Sequence, residues 1–142
     1  AAKQILRQMD IDIEAQRRQV TDRFRVEVRE AEEDESQLAE IYLNDKLVFA
    51  PADPHKFETV LVRAQAYAEN LRQAFDAGIQ MIDLKVEEGV EDAFVVRAGD
   101  RILIEVAAAD ARFHGVSARK LADSAEKALE LALYADKVSR PF

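Results

Sequence analysis

Two long apolar stripes at three- and four-residue steps, with short strand-like runs between them, constrain this chain most. Phe57, Leu61, Ala64, Ala68, Leu71 and Phe75 make the first stripe. Such spacing puts all six on one side of a helix predicted over residues 54–77. Leu121, Ala125, Ala128, Leu129 and Ala132 make the second, on a helix that frays near Lys137. Pro54 suits the first turn of the earlier helix, where a missing N–H costs nothing. Gly78 suits its C-terminal exit, and Ser117 the N-cap of the later one.

The runs around these helices have a different period. Ala39 to Leu43 and Leu47 to Ala50 flank Asn44-Asp45-Lys46, whose Asn and Asp tolerate the left-handed backbone of a tight hairpin. Pro51 ends the second strand, because proline cannot donate to a ladder. Met81 to Val86 is predicted as a strand with Ile82, Leu84 and Val86 on one face, closed by a turn at Glu87-Glu88-Gly89. Ala93 to Val96 and Ile102 to Val106 are predicted as two strands joined at Ala98-Gly99-Asp100, and after Ala107 to Ala109 the chain leaves the sheet. The expected order is β-β-α-β-β-β-α. This is an α+β layer fold with two helices on one face of an antiparallel or mixed sheet. No tandem repeat is read in it.

Ahead of this domain the period changes again. Residues 3–21 are predicted as a helical arm with a thin stripe through Ile5, Met9, Ile13 and Val20, suited to docking or self-association rather than deep burial. From Arg23 two readings compete. Phe24, Val26 and Val28 alternate with charges as a strand would, and Val20, Phe24 and Val28 also continue a helix. Glu30 to Glu35 holds five acids and reads as a solvated segment. The expected organisation is an arm with an acidic linker over 1–36 and the α+β domain over 37–142.

Composition removes several chemistries. No cysteine means no thiol catalysis, disulfide, cysteine zinc site or iron–sulfur cluster. A formal net charge of −8 argues against a general nucleic-acid binder. No run approaches the ~20 apolar residues of a membrane helix, and no signal peptide is read. A chain that opens at Ala1 with no Met fits a processed protein, a trimmed one or an excised domain alike. His55 and His114 lack ligand-spaced partners and read as a surface histidine and part of a turn. In that turn Asp110 is expected to cap a short helix and Phe113 to pack. Glu87, Glu88, Glu91 and Asp92 are a weak candidate for a divalent cation, without the spacing of a calcium loop. Four scattered glycines make no phosphate loop, and neither Ser117 nor Ser124 has a nucleophile-elbow context. The chain is therefore expected to be no enzyme and to carry no cofactor and no metal.

One ordered set of segments is familiar. Ile41-Tyr42-Leu43-Asn44-Asp45-Lys46-Leu47-Val48-Phe49 is followed by Arg63-Ala64-Gln65-Ala66-Tyr67-Ala68-Glu69-Asn70-Leu71. Then come Ala98-Gly99-Asp100-Arg101-Ile102-Leu103-Ile104-Glu105-Val106, Ala109-Asp110-Ala111, and a helix with Leu121-Ala122. This resembles an extracytoplasmic domain that precedes the channel portion of bacterial small-conductance-type mechanosensitive ion channel proteins. The resemblance implies an envelope-facing domain without catalytic residues, ahead of membrane helices that this chain does not contain. The functional expectation is a non-enzymatic assembly domain of a bacterial envelope or membrane protein. It forms a homo-oligomer through Ile5, Met9, Ile13 and Val20, with a membrane protein as a further partner. The alternative is a small-molecule or ion sensor with a pocket near Tyr42, Tyr67 and His114. The expected location is extracytoplasmic, with the cytoplasm as alternative.

Overall fold

The computed structural model describes residues 23–33 and 36–139, with the side chains of 31–37 left aside. The predicted arm, with Ile5, Met9, Ile13 and Val20, lies outside the described residues. Strands β1 (Val26–Glu33), β2 (Ser36–Leu43) and β3 (Lys46–Phe49) form one antiparallel meander. Helix α1 (Val60–Asp76) and a 3-10 turn (Met81–Asp83) follow. Strands β4 (Leu84–Glu88), β5 (Phe94–Ala98) and β6 (Arg101–Val106) form a second meander, and then come α2 (Ala108–His114) and α3 (Ala118–Ser139). The α+β class and the alternation of strands and helices are as expected, but the single sheet is two sheets of three strands.

The chain is also a structural repeat that its sequence does not announce: three strands and a long helix, twice over. Both β2–β3 and β5–β6 turn in two residues, Asn44-Asp45 and Gly99-Asp100, each opening with a left-handed residue. Beyond each turn the ladder carries one extra residue, so that two neighbours are both buried: Val48 and Phe49 in β3, Leu103 and Ile104 in β6. Such a bulge rotates successive side chains to one face, which ordinary alternation forbids. The helices match too. The hydroxyls of Thr59 and Ser117 accept from the amides three residues on, Val62 and Lys120, at 3.0 and 3.1 Å. From those caps, Ala64 and Leu71 in α1 correspond to Ala122 and Leu129 in α3, and all four are fully buried.

The repeats share a single core. Helix α1 covers β1 and β2 of its own sheet and reaches β6 of the other, while α3 covers β4, β5 and β6 and reaches β3. Ile41, Leu43, Phe49, Val96, Ile104 and Val106 meet Leu71 and Leu129 between the layers. Several expected boundaries move. Residues 26–33 form a strand paired with β2, so the ladder runs across the expected boundary after residue 36, which falls inside β2. Helix α1 begins at Val60, not near Pro54: His55 has φ of 54°, off the helical path, and Thr59 is the cap. Phe57 instead packs its ring edge-on against Tyr67, 5.8 Å between centres. The run from Met81 is not a strand until Leu84, and Ile82 stands 82% exposed on the 3-10 turn.

Candidate functional site: a buried polar centre and an outward helix face

Arg63 lies in line with Tyr67, Leu71 and Phe75 at four-residue steps on the buried face of α1. An arginine there must find partners for five N–H groups or leave a charge unsolvated. It finds all five. Nε donates to the Tyr67 hydroxyl at 3.0 Å. One terminal nitrogen donates to the Asp53 carbonyl at 2.7 Å and to Asp110 Oδ1 at 2.9 Å. The other donates to the Glu105 carbonyl at 2.8 Å and to Asp110 Oδ2 at 2.6 Å. Asp110 completes its own set, since Oδ1 also accepts from the Ala52 amide at 2.9 Å and Oδ2 from the Ala107 amide at 2.8 Å. The Tyr67 hydroxyl in turn donates to the Glu105 carbonyl at 3.0 Å.

Both charged side chains are inaccessible to solvent. Burial alone would lower the Arg63 pKa, but its hydrogen bonds to Asp110 and Tyr67 and the Asp110 charge reverse this and raise it. Burial also raises Tyr67, which stays a neutral phenol able to donate. The fork of an arginine on a carboxylate is rigid and directional. Here it fastens α1, the loop after β3, the end of β6 and the first turn of α2 at one point. Sequence reasoning named Asp110 as the helix cap, a role its bond to Ala107 shows, but did not pair it with Arg63. The available signal was an arginine on the stripe of a buried helix face.

The outlying candidates do different work. His55 Nε2 makes a short contact with Glu105 Oε1, and Lys56 Nζ lies 3.5 Å from the same oxygen. Partial burial would raise the Glu105 carboxyl, yet His55 and Lys56 outweigh it and hold the group below its ordinary value. His114 Nε2 bonds the Ala50 carbonyl at 2.7 Å, so the two histidines serve separate partners. Phe113, expected to pack, is 42% exposed and meets only the edge of His114 among the ring contacts. The structure does not bring Tyr42, Tyr67 and His114 together. Tyr67 is inside, while Tyr42 lies on the opposite face of β2 from buried Ile41 and Leu43, under the Arg29 guanidinium at 4.0 Å. Glu87 pairs with Arg97 at 3.1 Å, and among the described residues no three His, Asp or Glu side chains converge as a metal site.

Two surface features remain. A groove of about 340 Å³ runs between the start of β1 and the end of α1, past Phe24, Glu69, Arg72 and Phe75. The Phe24 and Phe75 rings stack at 4.4 Å, and Arg72 donates to the Val26 carbonyl at 2.8 Å. On α3, Leu131, Tyr134 and Val138 point away from the core and are about half exposed or more. On the other side of α3 Arg23 grips both oxygens of Asp136, at 2.7 and 2.8 Å. No described helix is long and apolar enough to cross a membrane. A family model described as a domain of unknown function (DUF8459) matches residues 40–136, more than half of the chain. No curated protein and no solved structure matches.

Proposed function

The chain belongs to the DUF8459 family, a domain of unknown function, and from that premise we propose that it is a non-enzymatic assembly domain of a bacterial envelope or membrane protein. The observation that carries this reading is the use made of its most reactive-looking polar groups. Every donor of Arg63 and every oxygen position of Asp110 is committed to holding loops and helices together. Polar machinery of this kind gives a rigid body, and a rigid body with an outward apolar helix face is suited to meeting other proteins. Its place is the extracytoplasmic side of a channel protein of the small-conductance mechanosensitive type. The resemblance supports this: the segments that carry it contribute Arg63, Tyr67, Glu105 and Asp110, the residues of the buried centre.

Sedimentation of the full chain and of a chain lacking residues 1–21 tests the assembly. Association that weakens on deletion supports it, and a monomer at every concentration defeats it. A second reading, a small-molecule sensor, is favoured by the groove beside Phe24 and Arg72, whose volume is at the low end of ligand sites. It differs from the sensor expected at Tyr42, Tyr67 and His114. A ligand screen by thermal shift that is lost in Arg72→Ala would support it.

A further inference from the structure

Helix α3 has two apolar faces. Ala122, Ala125 and Leu129 point inward and are fully buried. On the other side Leu131, Tyr134 and Val138, at steps of three and four, expose 46%, 56% and 64% of their surface. The stripe spans two turns, about 10 Å, and has the spacing with which helices mesh. Glu130 lies on its flank together with Lys137, and Glu126 and Asp123 continue that side one to two turns ahead of the stripe, with Lys127 in line with the stripe itself. Among the described residues no lysine or arginine pairs with Glu126 or Glu130, and partial burial followed by the charges of Glu130 and Asp123 raises the Glu126 carboxyl.

A segment of complementary character exists in the same chain. Residues 3–21, outside the described residues, carry the stripe Ile5, Met9, Ile13 and Val20. They hold Lys3, Arg7, Arg17 and Arg18 against Asp10, Asp12 and Glu14, a surplus of one positive charge in a chain of net −8. The root of this segment is fixed, because Arg23 is bound to Asp136. Asp136 lies seven residues after Leu129, near the core side of α3 and away from the exposed stripe. With a helix predicted to about residue 21, one residue separates it from Arg23. That is too little chain to carry the segment round its own α3, a cylinder about 10 Å across. The corresponding face of another molecule carries no such restriction.

We propose that the face of α3 formed by Leu131, Tyr134 and Val138, flanked by Glu130, receives the N-terminal segment, residues 3–21, of a second copy, so that two chains exchange arms. The inference rests on the assembly reading above and assigns its surface and its partner.

The test is sedimentation of full-length chains with far-UV circular dichroism as the check on folding. Wild type is expected at twice the monomer mass. Tyr134→Asp, at a half-exposed position, is expected to keep the spectrum and halve the mass, and Ile13→Asp to do the same from the other side of the contact. Val138→Asp replaces Tyr134→Asp if that variant misfolds. An equimolar mixture of Tyr134→Asp and Ile13→Asp chains is expected to recover dimers, because one intact arm meets one intact face. A Tyr134→Asp chain that folds and keeps its full mass overturns this docking face and leaves assembly standing. So does a chain without residues 1–21 that still dimerises through Tyr134, since the helices then meet each other. A mixture that stays monomeric overturns the exchange between chains, and a monomeric wild type overturns both readings.

Discussion

Arg63 and Asp110, 47 residues apart in the sequence, are joined by two parallel hydrogen bonds of 2.6 and 2.9 Å where no solvent reaches. Taking two charges out of water is costly, and a buried pair offsets that cost only when both partners are complete. Here both are, through the backbone of Ala52, Asp53, Glu105 and Ala107. The pair thus makes the fold intolerant of losing one member.

Asp110→Ala is expected to cost about 3–5 kcal/mol, the usual penalty for leaving a buried charge alone. Arg63→Lys is expected to destabilise as well, because one ammonium cannot reproduce the fork. Removing both charges together, with Arg63→Met and Asp110→Leu, should cost less than the two single losses added. Urea unfolding of the single and double variants measures this. Additive losses would show that the two side chains are not coupled.

Glu105 predicts an acid-side dependence. Its carboxyl is held below 4.5 in the folded chain: partial burial would raise it, but His55 and Lys56 prevail. A carboxyl lowered on folding contributes stability that is present above its unfolded pKa and lost as pH falls through the folded one. Glu105→Gln should therefore be less stable than wild type at pH 7, and the gap should close as pH falls through and below 4.5. Urea midpoints at pH 7 and pH 3 decide it, and a constant gap would rule the carboxylate out.

The first hairpin turn predicts a loss from a small change. Asn44 has φ of 50°, and its side chain accepts from the Arg25 amide at 2.8 Å and donates to the Arg23 carbonyl at 2.9 Å. Asn44→Ala keeps the left-handed backbone without the tolerance of asparagine and removes both bonds. The expected cost is about 1–3 kcal/mol. Asn44→Gly should recover the part due to backbone strain. Thermal melting of the two variants separates the contributions.

Leu71 and Leu129 occupy equivalent places in the two long helices, and both are fully buried. Leu71→Ala and Leu129→Ala are each expected to cost about 2–5 kcal/mol in chemical unfolding. A loss below about 0.5 kcal/mol at either would be the behaviour of a surface site.

What was legible in the sequence was local. Asn44-Asp45, Gly99-Asp100 and Gly78 announce their turns through residues that tolerate positive φ. Ser117 announces its cap, and of the two helical stripes Ala64, Ala68, Leu71, Phe75, Ala125 and Leu129 prove buried while Leu61, Leu121, Ala128 and Ala132 are partly so. What was not legible depends on partners far along the chain. Arg63 stands at four-residue steps from Tyr67, Leu71 and Phe75 on the buried stripe, but its partner Asp110 is 47 residues away and no local pattern names it. Ile82 alternates with Leu84 and Val86, yet a 3-10 turn has no two-residue period, so Ile82 swings outward. The repeat hides because many equivalent positions hold different residues, Asn44 against Gly99 and Phe49 against Ile104, while the few that agree, Leu71 with Leu129 and Ala64 with Ala122, are too scattered to read as a repeat and the matching bulges are matters of backbone.

The clasp between Arg23 and Asp136 brings the two ends of the described chain side by side, since Ser139 follows Asp136 by only three residues. Force applied between those two ends would fall first on the clasp and the last turn of α3. The six β-strands behind it would bear little of the load.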